Sequence, residues 1–454
     1  MKILLVSANL ETKPAPVYPL GVSRLATALR AHGQIVKIYD CLAQGLVELT
    51  RAVAYFNPDL IGVSLRNVDN TESAGTQNYL DGYLDVMARL RASSQAPVVL
   101  GGTAYSIFPE ALLLALQAEF GICGPGEEVL TELAQALENG QPPETVPGLI
   151  IRSGDHALRT ARRTGAAQVL PGVVRDPELA DYYWSQGGSL NLQTQLGCRH
   201  ACVYCTYPQL DGPGCRALPA EAAAEEIRRM VSDFDASHVF ITDSVFNLDP
   251  EHAERFCQAL IRMGRPATWT CFCEPGRHPG NLLKLMAQAG CTHIEFGTDA
   301  LSDKVLAAYA KPFCTADILA WSRAAAAVDI HQAHFLILGG PGETMETLSE
   351  TFRVSREMRP AVFFPYLGMR IFPNTPLYRL AVREGVLAAG DDLLAPRFYF
   401  SERTPESWLA VQVEAQARRD TRWVTPALWK QSEAVMPKLR ARGKKGPLWE
   451  YLAH

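Results

Sequence analysis

Cys198-Arg-His-Ala-Cys202-Val-Tyr-Cys205 places three thiols within eight residues, close enough on one loop to serve one inorganic centre. Thiolates are soft ligands and suit iron–sulfur clusters or zinc. A structural zinc site normally takes four protein ligands. Three ligands suit a cluster that leaves one iron open, able to chelate a small molecule and pass it an electron. His200 lies inside the motif, where a solvated or supporting place competes with ligation. On spacing alone, zinc and a non-catalytic iron–sulfur role both stay open. The chain has eleven cysteines, an odd number, which argues for reduced thiols rather than a disulfide framework.

Other residues carry weaker signals. Cys271 and Cys273 flank Phe272 in a strand-like run, so both side chains point to one side. If that side is a barrel lumen, Cys273 is a candidate catalytic group that donates a hydrogen atom or touches substrate. The competing reading is two small buried residues. Cys215 follows the cluster motif without ligand spacing, and His331 and His334 flank the start of a later strand.

The elements that must position these groups are legible as two runs of βα alternation. The first spans residues 1–140, with strands predicted at Ile3–Val6, Gln34–Tyr39, Leu60–Ser64, Pro97–Leu100 and Phe120–Cys123. That pattern describes a doubly wound parallel sheet, with its ligand crevice at the carboxyl ends of the strands. Residues 141–188 read as a hairpin and linker. The second run spans 189–377, with strands predicted at Leu190–Thr194, His238–Thr242, Thr268–Phe272, His293–Phe296, Ala333–Leu338 and Phe363–Arg370. Six strands of this kind suggest a partial (β/α)6 barrel. Residues 378–454 read as mainly helical, with a basic stretch near the end that fits a solvated helix.

The bulk numbers agree with an ordinary globular protein. The 454 residues suit two or three domains. With 43 basic and 48 acidic residues, no basic stripe points to nucleic acid. No stretch approaches the roughly 20 apolar residues of a spanning helix, and the opening Met-Lys-Ile-Leu-Leu-Val lacks the form of a signal peptide. A cytoplasmic location is expected.

The cysteine motif, with Tyr204 before its third cysteine, resembles the signature of the radical S-adenosylmethionine (radical SAM) superfamily. Further segments resemble its cobalamin-linked branch: Phe240-Ile-Thr-Asp243-Ser244-Val-Phe246, Ile294-Glu295-Phe-Gly297-Thr-Asp299, Leu338-Gly339-Gly340-Pro341-Gly342-Glu343-Thr344 and Arg370-Ile-Phe-Pro373-Asn-Thr375-Pro376. Lys311 resembles a lysine common after the next helix. In the first domain, Tyr18-Pro19-Leu20-Gly21, Asp59-Leu-Ile-Gly62-Val-Ser64, Gly101-Gly102-Thr103 and Gly124-Pro-Gly126-Glu127 resemble the loops of cobalamin-binding domains. The Asp-x-His-x-x-Gly element that supplies an axial histidine elsewhere is missing from the first loop. Asp40-x-Leu42-x-x-Gly45 looks similar, but it follows the second strand.

This resemblance implies an α/β fold: a Rossmann-like cobalamin-binding domain, then a radical SAM partial barrel and a helical C-terminal region. It implies a 4Fe-4S cluster on Cys198, Cys202 and Cys205. S-adenosylmethionine would be met by Tyr204, Asp243, Ser244, Glu295, Asp299, Gly340 and Arg370. Cobalamin would be met by Tyr18, Leu20, Gly21, Ser64, Arg66, Asn67, Gly101, Gly102, Thr103, Gly126 and Glu127. Ser64 would hydrogen-bond the cofactor's buried base. For Asp299, capping the next helix is an equal alternative. The implied activity is methyl transfer to an unactivated carbon or phosphorus centre through a 5′-deoxyadenosyl radical. The alternative is a cyclisation, a rearrangement or transfer of another cofactor fragment. The expected partners are a small-molecule substrate, such as a lipid or natural-product intermediate, and an electron donor of flavodoxin or ferredoxin type.

Overall fold

The structure is a computed structural model and describes residues 1–161, 170, 172–211, 215–276, 279–432 and 435–452. The chain divides into two compact units. The first comprises Met1–Asn70, Gln77–Gln186 and Thr206–Gly214, and the second comprises Thr71–Thr76, Gly187–Cys205 and Cys215–His454.

The first unit is built on β1 (Lys2–Ser7), β2 (Ile35–Asp40), β3 (Leu60–Ser64), β4 (Val98–Gly101), β5 (Phe120–Ile122), β6 (Leu149–Ser153) and β7 (His156–Arg159). These form one sheet in the order β2-β1-β3-β4-β5-β6-β7. β1 to β5 are parallel, and β6 and β7 add to the β5 edge as an antiparallel hairpin. Part of the segment expected as a linker thus extends the sheet. Five of the six residues of β1 are buried, as befits a strand covered on both faces. The winding reverses between β1 and β3, whose carboxyl ends stand side by side with Ser7 opposite Ser64. That reversal opens a crevice in sheets of this order.

The second unit holds β8 (Leu190–Leu192), β9 (Gln195–Leu196), β10 (Arg216–Ala217), β11 (His238–Ile241), β12 (Thr268–Cys273), β13 (Cys291–Asp299), β14 (His331–Leu338), β15 (Val362–Leu367), β16 (Met369–Arg370) and β17 (Phe398–Tyr399). β8, β11, β12, β13, β14 and β15 pair in that order, all parallel. The short pairs β9–β10 and β16–β17 are antiparallel.

Helices cover one face of this sheet. Trp269 of β12 packs edge-on against Phe256 of the helix Pro250–Arg262, and Phe296 of β13 against Trp321 of the helix Thr315–Ala326. Cys271 and Cys273 share the Trp269 side of β12, with their sulfurs 3.6 Å apart. Cys257 of the same covering helix is an electrostatic neighbour of Cys273. Cys273 therefore faces the helices and not the lumen, which corrects the hydrogen-donor expectation: a strand buried on both faces gives no alternation from which to read its side. His334 lies stacked on Phe296, bonded to Thr298 and Gln332. On the opposite, inner face, Trp449 and Val424 from the C-terminal region pack on Ala333 and Val362.

Candidate functional site

The loop after β9 carries Cys198, Cys202 and Cys205, all part-buried. Its entry is gripped by Asp243, whose carboxylate accepts from Thr194 N and Thr194 Oγ1 at 2.6 Å each and from Gln195 N at 2.9 Å. Val203, inside the motif, donates its N–H to Tyr309 O at 3.2 Å and accepts from Leu377 N at 2.8 Å. Arg199 donates to the Leu248 carbonyl. His200 pairs with Glu274 at 2.6 Å.

Among the described residues, no three His, Cys, Asp or Glu side chains converge as on a single ion. A four-iron cluster binds each cysteine to a different iron, and three thiols on one well-tied loop suit it. Burial raises the Cys198 and Cys202 thiols, and the Lys311 ammonium opposes that effect.

The residues expected around S-adenosylmethionine divide into two groups. Tyr204 donates its hydroxyl to Asp299 Oδ2, and Lys311 Nζ lies 2.8 Å from the same oxygen. This places Asp299 at the cysteine loop rather than at a helix cap. The Ser244 hydroxyl is buried with no hydrogen-bond partner in the structure, a group that a bound polar ligand would satisfy. The others are occupied elsewhere. Asp243 anchors the loop entry. Glu295 accepts from Trp449 Nε1 at 3.0 Å. Arg370 donates to the carbonyls of Ile371 and Leu393 at 2.6 and 2.7 Å. Gly340 is glycine because an added Cβ would come 2.3 Å from the Tyr309 hydroxyl. Tyr309, which ties the loop, carried no signal in the sequence. Only its nearness to Lys311 could have drawn attention to it.

In the first unit, Ser64 and Gly101 end neighbouring strands, and Leu65 N donates to Gly101 O at 2.8 Å. Gly102 has a φ of +92°, and a Cβ there would meet Leu65 O at 2.5 Å, so the two loops pass with backbones nearly touching. Thr103 opens the helix Thr103–Ile107, and Glu127 opens the helix Glu127–Glu138 just after Gly126. Arg66 has Tyr183, Tyr83, Tyr79 and Glu11 as electrostatic neighbours, and burial lowers its pKa. Asn67 exchanges backbone hydrogen bonds with the Tyr83 hydroxyl at 3.3 and 2.5 Å. The surroundings of Gly21 are open. Leu20 is buried. Tyr18 is not free for a ligand: its hydroxyl bonds Ser23 at 2.6 Å and Asp176 N at 3.1 Å.

These strand ends fit a cofactor whose nucleotide tail lies against backbone. The Tyr105 hydroxyl, three residues beyond Gly102, is buried without a partner in the structure. The two histidines of this unit, His32 and His156, are exposed on a helix end and on β7, so neither is placed as an axial ligand. Asp40 caps the short helix Cys41–Gln44 and accepts from Tyr183, which accounts for its motif-like spacing.

A switch-point crevice in one unit, and in the other a parallel βα sheet whose first strand leads to three cysteines on one loop, define a cofactor-dependent iron–sulfur enzyme. Residues 6–134 match the B12 binding domain family and residues 192–354 the Radical SAM superfamily. The chain belongs to the radical SAM superfamily, in the branch that carries a B12-binding domain.

Among its relatives is a tryptophan 2-C-methyltransferase of Streptomyces laurentii, 25% identical over 79% of this chain and 71% of the relative. A cytidylyl-2-hydroxyethylphosphonate methyltransferase of Streptomyces wedmorensis is 21% identical over 95% of this chain and 93% of the relative. The fold is similar to that of the radical S-adenosylmethionine methyltransferase TsrM from Kitasatospora setae, solved with tryptophan and a SAM analog. The TM-score is 0.85 at 22% identity, covering 98% of this chain and 100% of that one.

Proposed function

We propose that this chain is a methyltransferase that uses a four-iron cluster, S-adenosylmethionine and cobalamin to methylate an unactivated carbon or phosphorus centre of a small molecule. The observation that carries the reading is the loop of three cysteines, tied at Val203 and beside the Tyr204–Asp299–Lys311 group. The two relatives described above are by name methyltransferases, one of tryptophan at carbon 2 and one of cytidylyl-2-hydroxyethylphosphonate.

When bound, the cofactors supply a 5′-deoxyadenosyl radical and a transferable methyl group. The chain's own residues bind and orient. Cys198, Cys202 and Cys205 hold the cluster. Tyr204 and the unpartnered Ser244 hydroxyl face S-adenosylmethionine. Ser64, Arg66, Asn67 and Gly101 to Thr103 border the cobalamin crevice. An external one-electron donor of flavodoxin or ferredoxin type supplies the reducing equivalent. The cysteines are present as thiols rather than as a disulfide framework, which suits the reducing cytoplasm. No helix among the described residues is long and apolar enough to cross a membrane.

The test is anaerobic reconstitution with iron, sulfide and hydroxocobalamin, followed by S-adenosylmethionine, reductant and candidate substrates. Retained cobalamin, 5′-deoxyadenosine formation and a product heavier by one CH2 unit support the reading. Deoxyadenosine with an unmethylated, cyclised product would replace it with the cyclase alternative. Protein that binds no cluster and behaves like Cys198→Ala would overturn it.

A further inference from the structure

The cysteine loop adjoins a buried ion pair that holding a cluster does not by itself require. Asp299 ends β13 with a φ of +61° and is 4% exposed. A non-glycine residue in this left-handed region is strained and persists only where its surroundings impose it. The carboxylate so placed meets Lys311 Nζ at 2.8 Å and the hydroxyl of Tyr204, the residue before Cys205. Both charged side chains are almost completely buried. As a stabilising device the pair is poor, because burying two charges costs about what their attraction returns.

What the arrangement does achieve is to fix one ammonium beside the thiols. Lys311, bound to the same carboxylate oxygen as the hydroxyl of Tyr204, is an electrostatic neighbour of both Cys202 and Cys198. The carboxylate is engaged by Tyr204. Charges also near Cys198 are Arg199, bonded to the Leu248 carbonyl, and Glu274, paired with His200.

We propose that Lys311, held in place by Asp299 and Tyr204, is a fixed cation that makes the cluster on Cys198, Cys202 and Cys205 easier to reduce. The inference rests on the cluster reading given above. The step is the transfer of one electron from an external low-potential donor to the cluster, with no bond broken and no proton moved. Reduction makes a cluster with three thiolate ligands more negative by one charge. A nearby ammonium in low-dielectric surroundings stabilises that state more than the oxidised one.

The test is a redox titration of the reconstituted full-length chain with titanium(III) citrate, following the electron paramagnetic resonance signal of the reduced cluster. Lys311→Met lowers the equilibrium constant for reduction about tenfold, a shift of about 59 mV to more negative potential for a one-electron couple. Lys311→Arg stays near wild type. Asp299→Asn leaves the ammonium uncompensated and shifts the potential the other way. Opposite shifts support the proposal, since a merely structural pair gives none. Intact clusters whose potentials do not move, or move in the same direction in both variants, would overturn it. If Lys311→Met loads no cluster, the sign of the Asp299→Asn shift decides alone. A wild-type chain that binds no iron would instead sink the cluster reading.

Discussion

Glu295 is a buried carboxyl whose one hydrogen bond in the structure comes from Trp449 Nε1, and burial pushes its pKa up to about 7 from an ordinary 4.5. The folded state thus holds the proton more tightly than the unfolded state. Its contribution to stability is most favourable below pH 4.5, is lost as pH rises from about 4.5 to 7, and is a constant penalty above that. The whole swing is about 3 kcal/mol. Glu295→Gln should therefore gain stability over wild type across this window and hold a level advantage at higher pH. Urea unfolding midpoints at several pH values check this, and a pH-independent difference would rule it out. Cys273→Ala gives a second residue-scale expectation. The sulfur lies in the helix-facing layer, so the substitution should cost about 1 kcal/mol of stability and leave deoxyadenosine formation intact. A selective loss of turnover would return Cys273 to the lumen. The three cysteines were legible in the sequence because their relation is local. Asp243, Arg370 and Gly340 matched motifs, but their partners lie far along the chain, at Thr194, Leu393 and Tyr309. No local pattern shows such pairings.

At the scale of elements, β3 runs over Leu60–Ser64, the range its apolar run predicts. The major parallel strands were legible for the same reason: each is a short apolar run between turn residues. The two-residue β9–β10 pair was not legible, being too short to show periodicity. Nor was the attachment of the β6–β7 hairpin to β5, because edge pairing leaves no trace in spacing. Asp243 supplies the element-scale prediction. Its carboxylate fastens the chain between β8 and β9, so Asp243→Asn should cost about 1–3 kcal/mol and lower iron retained after reconstitution. Calorimetry and iron analysis measure both. Unchanged iron content in a destabilised variant would mean that the grip serves folding alone.

For the molecule as a whole, the two units carry separate candidate sites, the strand-end crevice in the first and the thiol loop in the second. Replacing Cys198, Cys202 and Cys205 together by alanine should abolish iron binding yet leave hydroxocobalamin retained near the wild-type level, as read from absorption after desalting. Joint loss of both would show that one site depends on the other. The two-unit organisation was legible because βα alternation restarts after a weakly patterned stretch. The inclusion of Thr71–Thr76 in the second unit and Thr206–Gly214 in the first was not, since such exchange depends on contacts distant in sequence. The backbone of Val203 has a consequence for how the enzyme is made. Its N–H is held by Tyr309 and its carbonyl by Leu377, so the cysteine loop leaves the ribosome long before either support exists. A nascent chain has all three thiols but not the frame that orders them. The frame around the cysteine loop is therefore complete only once translation has passed Leu377, and a chain stalled earlier would leave the three thiols unframed.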